Sequence, residues 1–173
     1  MRLGHRSTHV LTYLFNSVIT HCPIGSIRLG WLRLLGAKCP KSVQIYRGVE
    51  IFGPAQLVFG ERVVVGYHVC LDARGGIVIG DDSVIASYCH LLTADHDVDC
   101  PQFRGRFAPI QIGRNCWVCT RSLLLKGIEV DDFAVIAANS VVTKSVPSNH
   151  IVGGTPAKYL RVRECNVHYK IPM

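Results

Sequence analysis

Residues 112–142 read IGRNCWVCTRSLLLKGIEVDDFAVIAANSVV, and every sixth position is aliphatic: Ile112, Val118, Leu124, Val130, Ile136 and Val142. Upstream the series runs Ile45, Ile51, Phe59, Val65, Leu71, Ile79, Ile85 and Leu91, which makes fourteen units in all. The next position is often small or acidic, as at Gly60, Gly66, Asp72, Gly80, Ala86, Gly113, Asp131 and Ala137. A period of six is neither the 3.6 of an amphipathic helix nor the alternation of a half-buried strand. It is the mark of a parallel β-helix, in which each unit gives one short strand and a corner. Three units close a triangular coil with the aliphatic residue inside. Coils then stack at roughly 4.8 Å, with backbone hydrogen bonds along the axis. A β-sandwich repeats at about 8–12 residues with alternating polarity and does not fit.

The series breaks three times. Two extra residues at 57–58 precede Phe59, and two more fall at 75–76, around Gly75-Gly76. These read as widened corners. The third break is longer, TADHDVDCPQFRGRFAP at 93–109, between Leu91 and Ile112. The pattern divides the chain into a helical cap over 1–42, a β-helix of about five coils over 43–147 with an excursion at 94–111, and a tail over 148–173.

In the cap, Val10, Leu11, Leu14 and Val18 share one helical face, and Pro23 ends that pattern. A second helix fits Ile24 to Leu35 and stops at Gly36. Two such helices would cover the open end of the prism, where unpaired strand edges invite aggregation. Residues 1–49 hold seven Lys or Arg, Arg2 and Arg6 among them, and no Asp or Glu. Residues 50–173 hold twelve of each sign. The net charge of +7 therefore belongs to the cap, where it suits weak association with a membrane surface or a phosphorylated acceptor. Nucleic-acid binding finds no motif and no aromatic platform. The run from Val10 to Ile19 is too short to span a membrane and lacks a cleavage pattern.

Cys116-Trp-Val-Cys119 has redox or zinc spacing, yet both cysteines keep the six-residue register as small core fillers, and no second such pair exists. Reduced thiols in a cytoplasmic setting are expected. His96 lies in the excursion between Asp95 and Asp97. A loop histidine on a rigid scaffold can take a proton from an attacking hydroxyl or amine. A carboxylate or carbonyl on its other nitrogen would fix the tautomer. Asp97 and Asp72 are the candidates for that part, Asp72 alternatively for orienting the acceptor.

Residues 109–161 resemble the hexapeptide-repeat acyltransferases of the left-handed β-helix type, above all the sugar O-acetyltransferase branch. The matching motifs are P-I-x-I-G-x-N-x-W at 109–117, S-V-V-T-K at 140–144 and G-x-P-A-K at 154–158, with T-A-D-H-D resembling the catalytic-histidine loop. The resemblance implies a left-handed helix, acetyl-CoA as co-substrate, no metal, and direct transfer to a sugar or nucleotide-sugar acceptor. It places His96, with Asp97 beside it, as the catalytic base. It places Thr120, Ala138, Thr143 and Lys144 on the CoA channel, and Lys158 and Arg161 near the nucleotide phosphates. Asp72 and His68 become acceptor-side candidates. A homotrimer with sites between subunits is implied as well. Cys119 and Ala137 stand where glycines are usual, and Leu125-Lys126 where proline is common, which bears on the shape of the donor channel.

Other readings remain. An N-acetyltransferase acting on an amino-sugar nucleotide would share fold, donor and base. A zinc carbonic anhydrase of the same fold would use His68, His90 and His96. A non-catalytic scaffold would leave acetyl-CoA untouched.

Overall fold

The fourteen residues of the six-residue series all point into one core, and none is more than 3 % exposed. In the computed structural model, which describes residues 5–164 and 169–172, they sit on short strands wound into about five coils. The first coil holds β1 (Gln44–Ile45), β2 (Glu50–Phe52) and β3 (Leu57–Phe59). The second holds β4 (Val64–Val65), β5 (Cys70–Asp72) and β6 (Ile77–Ile79). The third begins with β7 (Val84–Ile85) and β8 (His90–Leu92), departs through β9 (Ala94–His96) and β10 (Gly105–Phe107), and resumes at β11 (Ile110–Ile112). The fourth holds β12 (Trp117–Val118), β13 (Leu123–Leu124) and β14 (Glu129–Val130). β15 (Val135–Ile136) and β16 (Val141–Val142) follow, and Val146 bridges to Val130. β17 (His150–Gly153) and the antiparallel β18 (Lys158–Val162) finish the stack.

Coil pairs with coil in parallel, giving three faces. The first is β1-β4-β7-β12-β15-β17, the second β2-β5-β8-β13-β16, the third β3-β6-β11-β14. Register survives every break: Gln44 opposes Val64, Val64 opposes Val84, and Val84 opposes Trp117. The corner from first to second face is turned at each level by a left-handed residue, among them His68, Tyr88, Arg121 and Asn139. Gly80 shows why small residues recur beside the aliphatic ones. A Cβ there would lie 2.6 Å from the Gly113 carbonyl carbon, closer than stacked coils permit.

The cap consists of α1 (His5–Ser17) and α2 (Gly25–Leu34), with Gly36 left-handed just beyond. Arg2 lies outside the described residues, and of Arg6 only the backbone is described. The cap closes the free edge of each face at the first coil. The Asn16 amide donates to the Ile51 carbonyl and accepts from the Ile51 N–H, at 2.9 and 3.0 Å. Arg28 donates through Nε to the Ile45 carbonyl at 2.8 Å, and Lys38 bridges to Val58. The helix face is a correction to the sequence reading. Phe15 is fully buried and Leu11 packs beside it, whereas Val10 and Val18 are 67 % and 56 % exposed. Periodicity finds an apolar stripe but not the rotation of the helix. The two Asn16 bonds fix that rotation, and they select the neighbouring stripe. Asn16→Ala should lower stability by about 1–3 kcal/mol by stranding the Ile51 N–H. Val10→Ala should stay within about 0.5 kcal/mol, and denaturant midpoints compare the two.

After β18 the chain returns along the corner between third and first faces. Arg163 donates to the carbonyls of Asn115 and Phe133, and Asn115 donates to the Tyr169 carbonyl. The Ile171 N–H reaches Asp82, whose carboxylate is gripped by Arg62. Among the described residues no helix is long and apolar enough to cross a membrane.

Candidate active site

The excursion leaves the prism at the corner between second and third faces. Buried Thr93 anchors the departure, donating to the Asp72 carbonyl at 2.5 Å and accepting from the Gly75 N–H at 2.7 Å. The Ala108 N–H closes the foot onto the Thr93 carbonyl at 3.0 Å. Above it β9 and β10 form an antiparallel hairpin, with Ala94 opposite Phe107 and His96 opposite Gly105.

His96 is exposed at the end of β9. Its Nδ1 lies 2.7 Å from the Phe103 carbonyl, and its ring stacks on the Phe103 ring at 4.3 Å and 5°. A carbonyl can only accept, so Nδ1 carries the hydrogen and Nε2 the lone pair. The orienting group is thus a carbonyl and neither of the aspartates considered for it. Asp97 accepts from the Asp99 N–H and lies 3.9 Å from Arg106. Successive side chains on an extended segment point to opposite sides, so Asp97 faces away from Nδ1. Asp72 is buried and holds Arg74 through Nε and Nη2, each at 2.7 Å.

Charge stiffens the hairpin. Arg106 donates through Nε and Nη2 to the two Asp95 carboxylate oxygens at 2.9 and 3.1 Å, and through Nη2 to the His96 carbonyl at 3.4 Å. Lys126, one coil on, reaches Asp95 at 3.4 Å. The Arg106 hydrogen bond, with help from Lys126, holds the Asp95 carboxyl below the usual carboxylate range. A lowered folded value means that the support is complete above the unfolded value near 3.9 and fades as pH falls below it. Amide signals of residues 94–107 should therefore move as pH falls below the ordinary carboxylate range, and Asp95→Asn should flatten that response in an NMR titration.

The donor-side candidates fall into two groups. Thr120 and Ala138 are exposed on the corner between first and second faces, and His68 lies on that same corner, stacked on Tyr88 at 5.2 Å. Thr143 and Lys144 are exposed where the second face meets the third, on the edge that carries the hairpin. Lys144 and Lys158 share a cavity of about 430 Å³ with His150 and Tyr159, and Arg161 lies further along β18 opposite Ile151. One chain thus gathers His96, Asp97 and Asp72 about the hairpin, and Lys144 with Lys158 beyond it. It leaves His68, Thr120 and Ala138 on another edge. Trp117 is half exposed on the first face. Among the described residues no three His, Cys, Asp or Glu are grouped to hold a metal. The seven described cysteines are free, and burial pushes the thiols of Cys39, Cys70, Cys89 and Cys116 up to about 11. Cys116 fills the core as the register required, and so does Cys89, but Cys119 is only half-buried and is not a core filler, because it follows the inward Val118 and turns outward.

Phe103, Arg106 and Arg74 have no part in the sequence reading, and Lys126 enters it only with Leu125 as a departure bearing on the donor channel, not as a partner of Asp95. FRGRF at 103–107 carried a usable signal, a glycine centred between alternating aromatic and basic residues opposite ADH. Lys126 could be found only from the coil offset that sets Leu124 beside Leu91.

Comparison with known proteins agrees with this architecture. A family model described as hexapeptide repeat of succinyl-transferase matches residues 109–144. The "Putative colanic acid biosynthesis acetyltransferase WcaF" of Escherichia coli (strain K12) is 39% identical over 132 residues, covering 76% of this chain and 72% of that one. The galactoside O-acetyltransferase of Escherichia coli (strain K12) is 32% identical over 126 residues, 67% of this chain and 62% of its own. The crystal structure of a maltose O-acetyltransferase from Clostridium difficile 630 superposes with a TM-score of 0.82 at 28% identity, over 92% of this chain and 86% of that one. Length, coil architecture and identity together place the chain in the hexapeptide-repeat acyltransferase family of left-handed β-helix proteins, in its sugar O-acetyltransferase branch.

Proposed function

We propose that this protein transfers the acetyl group of acetyl-CoA to a hydroxyl of a sugar or surface-polysaccharide precursor, with His96 as general base. The observation that carries the reading is the Phe103 carbonyl on Nδ1, which leaves Nε2 to accept a proton. Nε2 takes the acceptor hydroxyl proton as the oxygen attacks the thioester carbonyl. The tetrahedral intermediate collapses with cleavage of the C–S bond, and the imidazolium returns its proton to the departing thiolate. The products are the acetyl ester and free CoA. Lys144 and Lys158 supply cations for the CoA phosphates, with Arg161 near them.

Thr120 and Ala138 lie across the second face from Thr143 and Lys144, at two different edges of one copy. A cyclic trimer would bring the two edges together, by setting the first-to-second corner of one copy against the hairpin edge of the next. The outward residues of the second face suit such contact: Leu92, Leu123 and Val141 are half-buried and Leu125 is 37 % exposed. In that assembly His68 of one copy could stand on the acceptor side of the next. The free thiols fit a reducing compartment such as the cytoplasm.

The test is thiol release from acetyl-CoA over a panel of sugars, amino sugars and nucleotide sugars, with the acetylated position read by mass spectrometry and NMR. Esters are expected. Transfer confined to amines would overturn O-acetylation, and no transfer with no CoA binding would overturn the enzyme itself.

A further inference from the structure

A cavity of about 770 Å³ opens between α1, the corner at 53–56 of the first coil, Arg74 and the foot of the hairpin. Its volume falls within the roughly 300–1,000 Å³ of ligand sites. It also gives the two short breaks in the six-residue series a purpose. Both extra lengths fall at the same corner, on the two levels directly before the hairpin; in the first coil this is 53–56 and not the 57–58 read from the sequence, which lie in β3. In the first coil the extra length forms a left-handed Gly53 followed by a 3-10 turn over Pro54–Gln56. In the second it carries Arg74 outward, through Gly75 and a left-handed Gly76. A Cβ on Gly75 would lie 2.8 Å from the Thr93 carbonyl oxygen, so the corner and the hairpin foot are fitted to each other.

The walls mix two chemistries. Phe52 and Phe107 give aromatic surface, 43 % and 58 % exposed. The Arg74 guanidinium lies 5.9 Å from the Phe107 ring centre, and Asp72 takes its Nε and Nη2. The third nitrogen, Nη1, is the one left to meet a ligand. Gln56 donates to the Arg74 carbonyl and fixes that corner further. Aromatic faces are electron-rich and attract the polarised C–H face of a sugar ring, while a fixed guanidinium donates to ring hydroxyls. A purely apolar guest would leave the Arg74 Nη1 desolvated and without an acceptor. Phe107 pairs with Ala94, two residues before His96, which is about 7 Å along a strand.

We propose that this cavity is a second-sugar subsite. It holds the non-reacting ring of an acceptor whose hydroxyl reacts at His96, so the acceptor is a di- or oligosaccharide and not a free monosaccharide. Asp72 then acts as a positioning residue through Arg74 and does not touch the acceptor. The inference rests on the sugar-acetylation reading and deepens it.

The experiment compares kcat/KM for glucose, galactose, maltotetraose, β-1,4-galactotetraose and octyl glucoside in the full-length protein. In whichever sugar series reacts, the tetrasaccharide should exceed the monosaccharide by about tenfold or more. Phe52→Ala and Phe107→Ala should each erase that advantage with the KM for acetyl-CoA unchanged. Both rings are substantially exposed, so the folded state should survive. Equal losses on short and long acceptors, no advantage of length, or preference for octyl glucoside over the tetrasaccharides would each overturn the subsite. If no sugar of any length is acetylated, the transfer reading has failed on its own. Saturation-transfer NMR of the tetrasaccharides then still reads the cavity. Signal lost in Phe107→Ala supports the subsite, and no signal in the unmodified protein rejects it.

Discussion

His96→Ala is expected to lower kcat for acetyl transfer by about 10²- to 10⁴-fold, the range that a positioned general base contributes. The KM for acetyl-CoA should change little, because the cations proposed for CoA lie elsewhere, at Lys144 and Lys158. The melting temperature should hold, since His96 is exposed on a hairpin outside the core. Thiol release and thermal unfolding on the same preparation separate the two effects. Activity above about a tenth of the unmodified protein would remove His96 from the mechanism. A smaller loss is expected for Phe103→Ala, which takes away the stacked ring and keeps the backbone carbonyl.

Leu71→Ala should have the largest effect on stability. Leu71 is fully buried on the second strand of the second face, between Ile51 and Leu91 on the coils before and after it. Truncating such a side chain costs about 2–5 kcal/mol, because the cavity left behind collapses only in part. That is a large share of the about 5–15 kcal/mol that holds a domain together. For a chain of this size it corresponds to a melting temperature lower by roughly 10 °C. Val78→Ala is the matched control. It removes carbon from an outward residue, 43 % exposed on the third face, and should stay within about 0.5 kcal/mol. Similar losses from both would mean that the inward series does not carry the stability of the prism.

What could be read from the sequence follows from the physics of each part. The six-residue series located one inward position on each coil strand, but not the second inward residue of the third-face strands, Leu57, Ile77 and Ile110, nor buried corner residues such as Val63 and Val69. The second helix was visible within a residue at both ends, with Gly36 marking its stop, whereas the first ends at Ser17, well before the Pro23 that ends its pattern in the sequence. The buried side of α1 was not visible, because a pair of hydrogen bonds from Asn16 to Ile51 decides it across 35 residues of chain. At the site, the position of His96 was legible as a histidine where the repeat stops. Its partner was not, because a backbone carbonyl carries no residue signature and any side chain at 103 would supply one. The same limit hid the Arg74–Asp72 pair. An acidic residue after an inward leucine reads as a corner, and only the widened turn at 73–76 brings the guanidinium back onto it.

The unbroken register past each widened corner has a consequence for how such an enzyme can diversify. Strands on all three faces meet their neighbours in step whether the second-to-third corner spans a minimal turn, two additional residues or an entire hairpin. Insertions and deletions at that edge are therefore mechanically silent for the stack. With the roles proposed above, lineages can edit what reaches the hairpin while the later coils stay constant, so acceptor choice and donor use become separately inherited traits.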